Sequence, residues 1–302
     1  MTKTSLIIPA YNEEKALGKV IDEALDKVDE IIIVDDGSTD NTAVIAENYA
    51  KKFKNIKFVK HLRNFGKVRA LRSGVENSSH NNIIFTDADF TYPASYFPIM
   101  IQELKKGADL VLGSRFKKGV NNMLIFNRVG NKIFSIIATY ITCSSVTDGQ
   151  TGLRAFRKEL FKELDVKAKS LEYETKMTVR AAKLGYKIVE VPIRYRKRIG
   201  KSKLRPVRDG VKMLFSLVNI AYNETSLLAR MIMMPSLFMG IFSLYFGITS
   251  IKDYFIFGLP RHPYYPLLTA LLLLIGIQLF SLGLIIDNLT KKLSRIEEQV
   301  RK

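Results

Sequence analysis

From Ser5 to Pro192 the chain alternates short apolar runs with stretches whose apolar residues recur every three or four positions. Leu6-Ile7-Ile8, Ile31-Ile32-Ile33-Val34, Ile56-Lys57-Phe58-Val59 and Ile83-Ile84-Phe85 are too short for helices and are bounded by polar loops, so they read as strands. After the first run, Ala16, Leu17, Val20, Ile21, Ala24 and Leu25 lie at helical spacing. Asn12 is the expected N-cap there, and Glu13 and Glu14 give an acidic first turn that suits the helix dipole. A second helix is expected from about Thr42, and a basic third from Gly66 to Val75 with Lys67, Arg69 and Arg72. Strand and helix in regular alternation predict an α/β fold built on a mostly parallel sheet. Leu110-Val111-Leu112 adds a strand, residues 148–152 read as a loop, and helical segments follow over 158–164 and 172–184. Ile188-Val189-Glu190-Val191-Pro192 ends the sheet as an edge strand, since proline stops pairing.

In such a sheet the loops after Ile8, Val34 and Phe85 open on one edge, where open α/β folds bind ligands. The third loop begins Thr86-Asp87-Ala88-Asp89, delivering two carboxylates one residue apart from the end of a buried run. That pair suits a hard cation such as Mg²⁺, which completes its shell with phosphate oxygens and water. In isolation the same residues would serve as an ordinary turn. The second loop places Asp36 against a ribose or base, because a carboxylate accepts two hydroxyl or N–H bonds at once. No G-x-G-x-x-G pattern occurs, which argues against a dinucleotide enzyme, and Gly200-Lys201-Ser202 has Tyr195 where a P-loop needs glycine.

Beyond Pro206 the pattern changes. Residues 206–230 mix apolar positions with Arg208, Lys212 and Arg230, as interfacial amphipathic helices do. Met231–Ile251 and Pro266–Ile286 carry no charge and are each long enough to cross roughly 30 Å of hydrocarbon. The expected organisation is therefore a domain over 1–205, interfacial helices over 206–230, a transmembrane hairpin over 231–290 and a tail over 291–302. Basic residues precede the first span and follow the second at Lys291, Lys292 and Arg295, which places both termini and the main domain on the cytoplasmic side. Tyr254, Phe255, Tyr264 and Tyr265 suit an aromatic belt near the outer loop.

Charge narrows the partners. A formal net charge of +18 points to anions: phosphorylated substrates, an acidic membrane surface or nucleic acid. The absence of a basic-aromatic platform argues against nucleic acid. Cys143 is the only cysteine, so no intrachain disulfide and no cysteine-based zinc site is expected, and a reducing compartment fits. The N-terminus runs straight into the first strand without the pattern of a signal peptide, so that strand is expected to be mature structure. Homo-oligomerisation is left open.

In order along the chain, IIPAYNEE, IIIVDDGSTDNT, TDADFTYP, GSRF, TGLRAFRKE and RIGKSKL resemble the inverting family 2 glycosyltransferases of GT-A fold, in the dolichol-phosphate-mannose-synthase-like branch. The trailing helix pair is similar in layout to the anchor of polyprenyl-phosphate glycosyltransferases. This resemblance implies transfer of a hexose from GDP-mannose, UDP-glucose or UDP-N-acetylglucosamine to dolichyl or polyprenyl phosphate at the cytoplasmic membrane face, making a lipid-linked sugar for glycan or protein glycosylation. It implies that Pro9, Tyr11, Glu13, Val34, Asp36 and Ala88 contact the nucleotide-sugar. Asp87 and Asp89 would hold Mg²⁺ or Mn²⁺ against its diphosphate, and Arg198 with Lys203 would close over the phosphates. Arg115, Arg128 and Lys132 would bind the lipid phosphate, with Asp89, Arg115 and Arg128 at the catalytic centre. Thr91 stands where relatives often carry Gln or His, so no third protein ligand to the metal is expected from that position. A phosphate nucleophile is largely ionised near pH 7, its second pKa being about 6, so no catalytic base is needed. None is evident: His61, His80 and His262 are scattered. The alternatives are a GT-A enzyme with a polysaccharide or protein acceptor, and a membrane-anchored anion-binding protein without catalysis.

Overall fold

The computed structural model describes residues 3–116, 146–164, 173–200, 225–259 and 261–300. The chain forms two compact units, Met1–Val218 and Asn219–Lys302.

The first unit is built on seven strands: β1 Thr4–Ala10, β2 Glu30–Asp35, β3 Ile56–Lys60, β4 Asn82–Phe85, β5 Leu110–Ser114, β6 Arg154–Arg157 and β7 Ile188–Pro192. They lie in the order β3-β2-β1-β4-β6-β5-β7. β1 runs parallel to β2 and β4, β2 to β3, and β5 to β7, while β6 is antiparallel to both neighbours. The expected mostly parallel sheet is thus present, with β7 at an edge. Its helices are α1 Leu17–Ala24, α2 Thr42–Lys52, α3 Lys67–Asn77, α4 Phe97–Lys105, α5 Lys158–Leu164 and α6 Tyr173–Lys183.

Strand side chains alternate between two buried layers, as their period of two requires. Leu6, Ile8, Ile31, Ile33 and Ile84 face a layer with Leu17, Ile21, Phe97 and Met100. Ile7, Ile32, Ile83, Phe85 and Leu112 face another with Leu71, Val75, Leu160 and Met177. Each fully buried Leu, Ile or Phe contributes about 1.5–3 kcal/mol. Gly74 lets α3 settle on β1, because a Cβ there would lie 2.3 Å from Ile7 Cγ2.

Two local expectations are corrected. Asn12 is not an N-cap: it has φ +50°, α1 begins only at Leu17, and the Asn12 side-chain oxygen accepts the Thr39 N–H at 2.8 Å. A loop–loop contact unreadable from local sequence has won over the local cap. β6 also occupies a stretch in which no strand was expected, since Arg154 and Arg157 leave only Ala155 and Phe156 as an apolar signal.

The second unit pairs α7 Leu227–Phe257 with α8 Tyr265–Val300. Both are long and apolar enough to cross a membrane, with mean hydropathy 1.8 and 2.4 over their most apolar 18 residues, and their side chains are largely exposed. Both expected spans lie inside them. Ser226 caps α7 by accepting the Ala229 N–H, and Gly258 ends it in the left-handed region at φ +74°. Small residues bring the pair close: Gly283 faces Met233, and Ser243 Oγ donates to the Thr269 carbonyl at 3.0 Å. The expected interfacial helices lie outside the described residues up to 224. Residues 227–230 form the first turn of α7, and α8 continues through most of the expected tail.

Candidate active site

β1, β2, β3 and β4 point the same way, so their C-terminal ends share one edge with the start of antiparallel β6. Asp87 and Asp89 emerge there from β4. Asp87 accepts the Lys67 ammonium at 2.6 Å, and the same ammonium lies 2.8 Å from Glu174 on α6. Burial works against the Lys67 charge, but Asp87 and Glu174 outweigh it and raise its pKa. Asp89 turns one oxygen to the Thr91 N–H at 3.1 Å and the Thr91 hydroxyl at 2.6 Å, and the other to Arg198 Nη1 at 3.1 Å. Burial raises the Asp89 pKa and the Asp87 charge adds to it, against the pull of Thr91 and Arg198. Arg198 also pairs with Glu13, so one guanidinium bridges the loops after β1 and β4. Its Nε is buried with no hydrogen-bond partner among the described residues. The segment bearing it runs along this edge through Arg196 N–H to Thr91 O and Ile199 N–H to Asp89 O, at 3.0 and 3.1 Å.

A second loop, residues 147–153, presses on Asp87 from the start of β6. A Cβ on Gly152 would lie 2.3 Å from Asp87 Oδ2, so only glycine permits this approach, and the Gly152 N–H donates to Tyr92 Oη at 2.8 Å. Arg154 anchors the loop from within: it is fully buried and donates to the carbonyls of Thr151 and Gly149 and to the Thr178 hydroxyl. Glu190 on β7 accepts the N–H groups of Thr147 and Asp148, each at 2.8 Å. Asp148 in turn holds Arg115 in a two-pronged pair, Nε at 2.7 Å and Nη2 at 2.8 Å. Burial opposes the Arg115 charge, yet Tyr92 and Asp148 raise its pKa.

Several residues singled out from sequence therefore meet here: Glu13, Asp87, Ala88, Asp89, Arg115 and Arg198. Pro9 near the end of β1 and Tyr11 just after it, both half-buried, lie on the same edge. Asp36 is occupied internally: its carboxylate accepts the N–H groups of Phe65 and Gly66 at 3.0 and 2.7 Å and meets His61 Nδ1 at 2.7 Å. Val34 is fully buried in the α3 layer of the core. Arg128, Lys132 and Lys203 lie outside the described residues. Lys67, Glu174, Asp148, Arg154 and Glu190 belong to the site's framework but were given no role from sequence. A lone charged residue on a helix, a loop or a short strand carries no local mark of burial.

Among the described residues no group of three or more His, Cys, Asp or Glu side chains could hold a metal ion. The donor chemistry at Asp87 and Asp89 nevertheless fits a hard divalent cation bound by two carboxylates, with remaining positions left to phosphate and water. Burial and the neighbouring Asp87 charge both raise the Asp89 pKa, the direction that a bound cation would oppose.

Fold and site together define a glycosyltransferase of GT-A fold. Residues 5–165 match the family described as Glycosyl transferase family 2, and the chain belongs to that family. It is 33% identical over 223 residues to a dolichyl-phosphate hexose transferase of Haloferax volcanii, covering 73% of this chain and 94% of that one. It is 31% identical over 239 residues to the dolichyl-phosphate beta-glucosyltransferase ALG5A of Trichomonas vaginalis, covering 72% of each. A dolichol-phosphate mannosyltransferase of Pyrococcus furiosus is 30% identical over 212 residues, 67% of this chain and 59% of that one. Among solved structures, glucosyl-3-phosphoglycerate synthase from Mycobacterium tuberculosis, in complex with Mn²⁺, UDP and phosphoglyceric acid, shares the fold. Its TM-score is 0.59 at 21% identity, over 73% of this chain and 78% of that one.

Proposed function

We infer that the chain transfers a hexose from a GDP- or UDP-sugar to the phosphate of a dolichyl or polyprenyl phosphate, at the cytoplasmic face of the membrane in which its two apolar helices lie. The observation that carries this reading is the Asp87–Asp89 pair at a GT-A strand edge, paired with Lys67 and Arg198 and with Arg115 held by Asp148 of the neighbouring loop, in a chain that also bears two membrane-length helices. The names of the relatives support the lipid phosphate as acceptor.

A phosphate oxygen of the acceptor attacks the anomeric carbon as the bond to the nucleoside diphosphate breaks, with inversion. That oxygen is already ionised near pH 7, so the protein's work is placement and charge. Mg²⁺ or Mn²⁺ held by Asp87 and Asp89 would neutralise the diphosphate as it leaves. Arg198, whose buried Nε has no partner among the described residues, is suited to phosphate oxygens, and Lys203 would join it. Among the described residues Arg115 is fixed by Asp148 through Nε and Nη2, which leaves Nη1 for the acceptor phosphate, and Arg128 and Lys132 would bind that phosphate too. Pro9, Tyr11 and Glu13 would border the nucleoside.

The test is transfer from radiolabelled GDP- and UDP-sugars to a polyprenyl phosphate in detergent, with Mg²⁺, Mn²⁺ or EDTA. Organic-extractable label from one donor, abolished by EDTA, is expected. Donor hydrolysis without lipid labelling would assign a different acceptor, a polysaccharide or protein among them.

A further inference from the structure

The described part of the catalytic unit exposes few large apolar side chains: Val44, Ile99 and Leu184, each alone on a helix or helix end, and Leu62 with Phe65 in one loop. That loop, residues 61–66, follows β3 and so lies on the strand edge that carries Asp87 and Asp89. Leu62 is fully exposed and Phe65 half exposed.

The loop is also held. The His61 N–H donates to the Asp35 carbonyl at 2.9 Å, and the His61 ring joins Asp36 Oδ1 to Ser73 Oγ at 2.7 and 2.9 Å. Asp36 takes the N–H groups of Phe65 and Gly66. Gly37, at φ +72°, packs so tightly beneath that a Cβ would sit 2.4 Å from the Arg63 carbonyl carbon. A buried carboxylate, a histidine and a left-handed glycine thus fix a tip whose apolar side chains point into solvent. Such fixing lowers the entropy cost of docking.

Charge selects what it docks on. Residues 48–75 contain no Asp or Glu, while Lys60, Arg63 and Arg69 are exposed around the tip and the Arg63 guanidinium lies 5.1 Å from the Phe65 ring centre. Apolar side chains ringed by lysine and arginine match the boundary between acyl chains and acidic headgroups. A chain with two membrane-length helices has that surface at hand.

We propose that the loop of residues 61–66 is a membrane-docking tip: Leu62 and Phe65 enter the interface of an acidic bilayer, with Lys60, Arg63 and Arg69 on the headgroups. This turns the catalytic edge toward the lipid that carries the acceptor. The proposal extends the lipid-phosphate reading above, from which it takes the membrane-resident acceptor.

The chain has no tryptophan, so a single one reports cleanly. Phe65→Trp would be placed in the full-length chain, in nanodiscs of phosphatidylglycerol and phosphatidylcholine with and without brominated acyl chains. Leu184→Trp is the control, exposed at the opposite edge of the sheet where α6 leads into β7. The expected result is blue-shifted emission at position 65, quenched at least twofold by the brominated lipid, with position 184 unquenched. Emission at 65 that stays water-like, or shifts without quenching because protein or nucleotide covers the site, overturns the proposal. Equal quenching at both positions does so too. In the same discs Leu62→Ser with Phe65→Ser should raise the acceptor KM about tenfold and leave the donor KM unchanged. Transfer by the parent chain separates the two readings: quenching without lipid labelling keeps the docking tip and removes the lipid acceptor, whereas labelling without quenching does the reverse.

Discussion

Asp89 shows how a site residue can be costly to the fold. Burial and the charge of Asp87 raise its pKa, so the folded chain binds more protons there than the unfolded chain does. Stability from this group therefore falls as pH rises through the interval above the ordinary aspartate value. Asp89→Asn removes that charge while retaining an acceptor for Thr91. The variant is expected to unfold near neutral pH at a temperature no lower than the parent, yet to lose transfer by about 100-fold or more, the order seen when a stabilising group is removed from a reaction centre. Mn²⁺ should raise the melting temperature of the parent and not that of the variant. A fall in melting temperature alongside the lost activity would instead make Asp89 structural. Gly152 gives a second residue-scale expectation, because an added Cβ meets the Asp87 carboxylate 2.3 Å away. Gly152→Ala should displace Asp87 and lower kcat by about 100-fold, the scale of an ångström's misplacement. Its urea midpoint should move little, since the carboxylate it displaces is partly solvent-exposed. Unchanged kcat would show that the site tolerates a shifted Asp87.

At the scale of elements, β1, β2, β4 and β5 were legible because each is an unbroken apolar run buried on both faces. β6 was not, since its first residue is an arginine whose burial depends on Gly149, Thr151 and Thr178, none of them local strand signals. Asp87 and Asp89 could be read from their place after an apolar run, whereas the partners of Asp36 lie 25, 29 and 30 residues away and only the fold reveals them. Glu30 opens β2 and ties elements together at the opposite sheet edge. It accepts from Ser5 on β1, from the Ser79 N–H and hydroxyl ahead of β4, and from Lys57 on β3. Burial would raise its pKa, but those donors outweigh it and hold the carboxyl down to about 2. A depressed carboxylate adds stability that is present above its unfolded value and lost as pH falls through the folded one. Glu30→Gln should therefore cost stability at pH 6, and the gap to the parent should close between about pH 4.5 and pH 2. Urea midpoints across that range decide it, and a gap independent of pH would mean the loss is one of packing.

For the whole molecule, excess positive charge and the proposed membrane-resident acceptor bear on each other. With a formal net charge of +18, the chain is attracted to an acidic bilayer before any specific contact forms. Donor recognition also involves anions, so salt sensitivity alone would not separate the two. The separation comes from the acceptor's surroundings. In acidic nanodiscs, raising salt from about 0.1 M to 1 M shortens the Debye length from about 10 Å to 3 Å and removes most attraction between exposed charges and headgroups. The acceptor KM should then rise severalfold. In uncharged detergent micelles holding the same acceptor, the same change of salt should leave that KM nearly constant, while any weakening of donor binding appears equally in both. Equal salt dependence in discs and micelles would assign the effect to phosphate recognition within the site. A dependence confined to the acidic discs would show that the basic surface brings the catalytic unit and its acceptor together on the bilayer.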